Sequence, residues 1–196
     1  MLKKLLLLGS VLALTSCDPF EGQLSVKYPF QIKSEDKTMT LAAGDYSAKL
    51  KMDGKKQIEL SVKSNGKTHK IEIDLPKKLN LPDNGDFAVS AADLGQSFSA
   101  AGTAQTTASD SELRSGYEQC SYQRREHVCY PTNNGGVICR DEYRTVHGRR
   151  FVEYFDRTTL RNLNVNFIHA NGALLSNFTG QRSSVERFYR HQGQCY

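Results

Sequence analysis

Four residues late in the chain carry the most distinctive chemistry: Cys120, Cys129, Cys139 and Cys195, an even set confined to the last 77 of 196 residues. Thiols in such a set either oxidise in pairs or hold a metal. His127 and His147 lie close to Cys129 and Cys139 in the sequence, which makes a metal site the rival reading. No two cysteines, however, have the short C-x₂₋₄-C spacing of a structural zinc site. Two disulfides formed in an oxidising compartment are therefore expected, and no metal ligand is assigned.

Geometry removes one of the three ways of pairing them. Cys120 and Cys129 are nine residues apart along what reads as one strand, so at about 3.3 Å per residue they stand about 30 Å apart, beyond the Cα reach of about 7 Å. The expected pattern is Cys129–Cys139 with Cys120–Cys195, because Cys129 and Cys139 flank the turn-forming run Asn133-Asn134-Gly135-Gly136. Cys120–Cys139 with Cys129–Cys195 is the alternative. Two registers of the hairpin stay open. One sets Cys129 and Cys139 directly opposite; the other, shifted by two, sets Val128 opposite Ile138, Glu126 opposite Arg140 and Arg124 opposite Glu142.

Arginine is the second signal. Arg124, Arg125, Arg140, Arg144, Arg149, Arg150 and Arg157 interleave with Tyr122, Tyr130, Tyr143 and Tyr154. Guanidinium binds carboxylates and phosphates through two parallel hydrogen bonds and stacks on aromatic rings. Arg124, Arg140 and Arg144 are accordingly the candidate contacts for an anionic partner. The competing use is pairing across strands with Glu126, Asp141, Glu142, Glu153 and Asp156. Catalytic signatures are missing: the chain has no G-x-S-x-G, H-E-x-x-H, Walker A or G-x-G-x-x-G motif. Adjacent acids such as Asp141-Glu142 point to opposite faces of a strand. No catalytic residue is assigned, and a non-catalytic protein is expected.

The first residues give an address. Lys3-Lys4 precede an apolar run from Leu5 to Leu14, which is too short to span a bilayer and reads as an export signal. The run ends Leu14-Thr15-Ser16-Cys17, and residues 1–18 resemble the lipobox signal of bacterial lipoproteins. The resemblance implies removal of residues 1–16, a diacylglycerol on the Cys17 sulfur and an acyl group on the new N-terminus; no other cofactor is implied. With about 0.8 kcal/mol per buried CH₂ and more than one chain, such an anchor is stable. It places the protein at a bacterial envelope membrane, with the ectodomain in the periplasm or at the cell surface. The available partners are the lipid bilayer, an envelope protein or an anionic glycan, and nucleic acid is not among them.

Behind these residues the chain reads as all-β. Apolar content of 38% and charged content of 24% suit a foldable, polar ectodomain. Tyr46, Ala48, Leu50 and Met52, then Ile58, Leu60 and Val62, then Ile71, Ile73 and Leu75 alternate with polar residues, the pattern of half-buried antiparallel strands. Asn65-Gly66 predicts a two-residue hairpin that places Leu60 opposite Ile71 and Ile58 opposite Ile73. At Asp53-Gly54 a two-residue loop would put the apolar sets on opposite faces, so a longer loop is required. Further strands are predicted over Cys120 to Tyr130, Val137 to Val146, Arg150 to Phe155, Leu160 to Ile168, Ala173 to Phe178 and Val185 to Arg190. Turns are predicted at His147-Gly148 and Asp156-Arg157, with a break at Gly180.

All fourteen lysines fall at or before Lys78 and all twelve arginines at or after Arg114. That switch, with a Ser-, Ala- and Thr-rich stretch between, predicts two modules. The expected organisation is a signal peptide over 1–16, a lipidated tether over 17–23, an antiparallel β-meander or sandwich over 24–93, a linker over 94–116 and a small disulfide-stapled β module over 117–196. The function this suggests is that of an envelope lipoprotein with a binding, scaffolding or assembly role. An inhibitor of an envelope-attacking hydrolase and an envelope hydrolase with an unrecognised site are the alternatives.

Overall fold

A computed structural model describes residues 18–34, 37–52 and 55–196. The predicted export signal, Cys17 and the loop predicted at Asp53-Gly54 lie outside the described residues. The fold is all-β as predicted: β1 (Phe20–Val26), β2 (Phe30–Lys33), β3 (Thr38–Leu41), β4 (Gly44–Lys51), β5 (Lys55–Ser64), β6 (Lys67–Leu79), β7 (Gly85–Val89), one helical turn α1 (Ala91–Leu94), β8 (Phe98–Asp110), β9 (Arg114–Pro131), β10 (Val137–His169) and β11 (Leu174–Gln192). Described pairings are antiparallel. The chain divides into two compact units: one takes residues up to Thr107 together with Leu160–Ser184, the other Ala108–Thr159 with Val185–Tyr196.

In the first unit the strands are ordered β6-β5-β4-β1-β11-β10-β8-β7, with β2 and β3 forming a separate hairpin. The meander has its in-phase registers: Leu50 faces Leu60, Leu60 faces Ile71, and Ile58 faces Ile73. Asn65 and Gly66 both take positive φ, 49° and 75°, as the tight hairpin demands. The core gathers Phe20, Leu24, Ile71, Phe98, Val165 and Phe178, and Phe30, Phe98 and Phe167 pack ring on ring at 5.4 to 6.3 Å. Such side chains contribute about 1.5–3 kcal/mol each when fully buried.

Three expectations are corrected here. The tether is strand from Phe20 onward, and Phe20 is fully buried. Gly22 disguised this: a Cβ there would sit 2.0 Å from the Thr179 carbonyl oxygen, so the sequence leaves a gap in the apolar alternation where β11 comes close. The linker is largely strand β8, whose Phe98, Ala100 and Ala104 are buried. The C-terminal module is not the contiguous 117–196: Leu160–Ser184 joins the N-terminal strands, where Leu24 of β1 pairs with Phe178 of β11. Lysine and arginine sit mostly on surfaces, so their segregation does not report which strands share a core.

The second unit contains the paired lengths of β9 and β10, which run in register from Arg114 opposite Tyr154 to Pro131 opposite Val137. The predicted turn at His147-Gly148 is absent, because the chain end pairs alongside: Arg149 N donates to Tyr196 O at 2.8 Å, and Tyr196 N to Arg149 O at 3.1 Å. A Cβ at Gly148 would lie 2.3 Å from that Tyr196 oxygen. The glycine marks a close backbone approach, the other meaning of an isolated glycine in a strand. Asp156-Arg157 and Gly180 are likewise interior to β10 and β11.

Among the described hydrophobic residues of this unit only Val152 is fully buried. Covalent and polar links take over. Both disulfides have the expected connectivity, Cys120–Cys195 and Cys129–Cys139. Phe155 and Phe188 stack at 5.6 Å, and the Arg157 guanidinium lies 4.8 Å from the Phe188 ring while binding Asp110 through two hydrogen bonds of 2.7 and 2.8 Å. A module with so little apolar interior needs such staples.

Candidate functional site

Alternation places Arg124, Glu126, Val128 and Tyr130 of β9 on one face of the β9–β10 ribbon with Ile138, Arg140, Glu142 and Arg144 of β10. The sequence-predicted arginines therefore share a surface. Their register is the one that sets Cys129 directly opposite Cys139, and it brings like charges face to face: Glu126 opposite Glu142 and Arg124 opposite Arg144. Directly opposed like charges cost stability. The side chains relieve the conflict by turning along the strands. Arg124 binds Glu126 two residues on, Arg140 binds Glu142 at 2.8 Å, and Arg144 reaches Glu126 diagonally at 3.5 Å.

Tyr130 adds a hydroxyl donated to Glu142 at 2.8 Å and a ring whose centre is 5.1 Å from the Arg140 guanidinium carbon. The Arg124 hydrogen bond holds the Glu126 carboxyl below the usual range; for Glu142 the Tyr130 hydroxyl does so first, then Arg140. Both acids are anionic at neutral pH, so the face carries three guanidiniums against two carboxylates. Arg124, Arg140 and Arg144 remain more than half exposed, at 57, 68 and 71%. Ion pairs this exposed are screened by solvent and contribute little, so exchanging one for an external anion costs little. Cross-strand pairing and anion binding are thus compatible uses of the same arginines.

The opposite face carries Arg125, His127, Cys129, Val137, Cys139, Asp141 and Tyr143. Arg125 and His127 both bind Asp141, the histidine at 3.0 Å, and these bonds, Arg125 first, keep the Asp141 carboxyl below its ordinary range. Large apolar side chains are unusually exposed: among those described, all but Tyr28 lie in this unit, and Val137, Ile138 and Tyr143 are 61 to 69% accessible. Tyr and Arg are among the residues enriched in protein-binding patches.

Sequence reasoning did not single out the Arg187 cluster. Arg187 binds Asp156 at 2.9 Å, reaches Glu118 at 3.5 Å and lies 3.8 Å from the Tyr154 ring centre, while Tyr189 donates to Glu118 at 2.7 Å. Asp156 holds the guanidinium above its ordinary pKa, and Glu118 does the same for the Tyr189 hydroxyl. These partners are 31 to 71 residues apart in sequence, so no local spacing announces them. The usable signal is compositional: a module poor in aliphatics must pack arginine against rings.

In the first unit a cleft of about 560 Å³ opens beside β3 to β6, lined by Met39, Leu41, Tyr46, Val62, His69 and Lys70 among others. Among the described residues its lining holds two lysines and one histidine but no carboxylate, and Lys70 is turned to Glu59 and Glu72 at 3.0 and 2.6 Å. No protein-family model matches the chain, and no curated protein or solved structure is detectably similar to it.

Proposed function

We propose that this protein is a membrane-anchored envelope lipoprotein whose C-terminal unit docks a partner protein through the β9–β10 ribbon, without catalysis of its own. The carrying observation is the ribbon itself: three exposed arginines share one face with solvent-facing Tyr130 and Ile138, and Val137 and Tyr143 are exposed on the other. Surface of that kind fits a partner with an acidic rim around an apolar centre, and an anionic envelope glycan would engage the arginines alone. Docking onto a cell-wall-degrading hydrolase would make the same surface inhibitory.

The anchor is supported by the Leu14-Thr15-Ser16-Cys17 motif and by β1 beginning at Phe20, so a fold starts directly after the acylated residue. In a bacterial host, the wild-type chain is expected to incorporate labelled fatty acid and partition into detergent. Cys17→Ala is expected to accumulate as an unlabelled precursor. A soluble, unlabelled wild type would sink the lipoprotein reading.

The ribbon is tested by charge. Retention of the soluble ectodomain, residues 18–196, on a carboxylated matrix is expected to weaken as salt rises, since exposed charges are screened beyond about 8 Å at physiological strength. Changing Arg124, Arg140 and Arg144 together to Gln is expected to move elution to distinctly lower salt. An unchanged elution profile would leave the arginines as cross-strand pairing only.

A further inference from the structure

On the disulfide face of the ribbon, His127 and Cys129 stand two residues apart on β9, and Cys139 and Asp141 two apart on β10. The register sets Cys129 opposite Cys139 and His127 opposite Asp141. These four side chains are the corners of one patch. A His127 ring nitrogen and the two sulfurs lie within 4.8 Å of one another, His127 Nδ1 is 3.0 Å from an Asp141 oxygen, and all four residues are exposed.

We propose that reduction of Cys129–Cys139 converts this patch into a zinc site, with the two thiolates, the His127 imidazole and the Asp141 carboxylate as its four ligands. Zinc takes S, N and O donors tetrahedrally at about 2.3, 2.0–2.1 and 2.0–2.2 Å, which puts two sulfurs of one site about 3.8 Å apart. Facing cysteines whose Cα atoms are 4.0 Å apart reach that spacing by χ1 rotation alone. Asp141, hydrogen-bonded to His127 at 3.0 Å, lies outside the close group of one ring nitrogen and two sulfurs and joins it by a side-chain rotation that opens the pair to a tetrahedral edge of about 3.4 Å. Arg125 binds the other Asp141 oxygen, where it orients the ligand as outer-shell partners do. The sequence spells the ligands His-x-Cys and Cys-x-Asp, one pair per strand, so the C-x₂₋₄-C test for zinc passes over them.

The electrons come from a dithiol reductant. It supplies two electrons and two protons, breaks the Cys129–Cys139 bond and closes to its own disulfide. Zinc then displaces both thiol protons to solvent as two Zn–S bonds form. Access favours this bridge over Cys120–Cys195: Cys129 and Cys139 are exposed, whereas Cys120 and Cys195 are half-buried. A bound ion also inherits the clamp. With the bridge open and no metal, the like-charge pairs Glu126 with Glu142 and Arg124 with Arg144 favour the shift by two that sets opposite charges face to face; zinc across Cys129 and Cys139 holds the original register.

The test uses the soluble ectodomain, reduced with dithiothreitol, desalted without oxygen and titrated with Co²⁺ as a spectroscopic stand-in. One equivalent is expected to develop thiolate-to-cobalt charge-transfer absorption and tetrahedral d–d bands, both lost on adding Zn²⁺, with neither in the unreduced protein. His127→Gln and Asp141→Asn keep both disulfides for folding and are each expected to weaken metal affinity by about tenfold or more. Cys139→Ser, which removes one of the two thiolates, is expected to weaken the charge-transfer band by about half or more. Absence of bands in the reduced wild type, equal affinity in His127→Gln, or an undiminished band in Cys139→Ser would each overturn the assignment.

Discussion

Replacing Phe178 by Ala is expected to cost about 3–5 kcal/mol, and to do so in the N-terminal strands. Phe178 is fully buried and pairs directly with Leu24, itself fully buried. Its strand, β11, lies beside β1, which is paired on its other side with β4, where Leu24 meets Tyr46. A cavity at Phe178 therefore opens against the middle of the first unit's sheet, although the residue sits within the last 20 of the chain. Thermal unfolding measures the size of the loss, and hydrogen exchange locates it: amides of β1 and β4 are expected to lose protection. Tyr143→Ala, at a side chain 69% exposed, is the control and is expected to stay within about 0.5 kcal/mol of wild type. If Phe178→Ala left β1 and β4 protected, Leu160–Ser184 would not belong to the first unit's core.

That Leu160–Ser184 shares a core with the N-terminal strands was not legible, and the reasons are local. The strands β4, β5 and β6 could be read because their apolar residues alternate without interruption and Asn65-Gly66 fixes one register. β1 and β8 could not. In β1 a glycine, Gly22, occupies a core-facing position where a neighbouring backbone comes close, and in β8 Gly102 does the same between small buried alanines; both segments then resemble tethers. Glycine misled again at Gly148, where a neighbouring backbone rather than a turn requires it.

At the ribbon, the disulfide pairing and the shared face of Arg124, Arg140 and Arg144 followed from spacing. The register did not. Charge pairing alone favours the shifted hairpin, whereas the structure sets the cysteines opposite and lets long side chains resolve the like-charge contacts diagonally. A covalent link outweighs ion pairs that solvent screens. Arg187 was invisible for a different reason, since its three partners converge only once strands far apart in sequence are assembled.

The covalent links also set the second large effect. Changing Cys120 and Cys195 together to Ser is expected to lower stability by about 4 kcal/mol, the chain-entropy value for a closed loop of 75 residues. For a chain of this size that corresponds to a melting temperature lower by on the order of 10 °C. The loop encloses Leu160–Ser184, so opening it releases unfolded-state entropy for residues of both units, and Val152 alone is too little core to hold the second unit. Changing Cys129 and Cys139 to Ser opens a loop of only 10 residues at one end of an exposed ribbon. Its cost is drawn from local opening rather than from the global transition, because the strand segments it ties are already exposed on both faces. Calorimetry is expected to show a large downward shift for the first pair and a small one for the second, while hydrogen exchange near Tyr130 and Ile138 shows the reverse order. Equal shifts in the melt would mean that the ribbon end folds as part of the global unit and that loop length does not govern what these two bridges contribute.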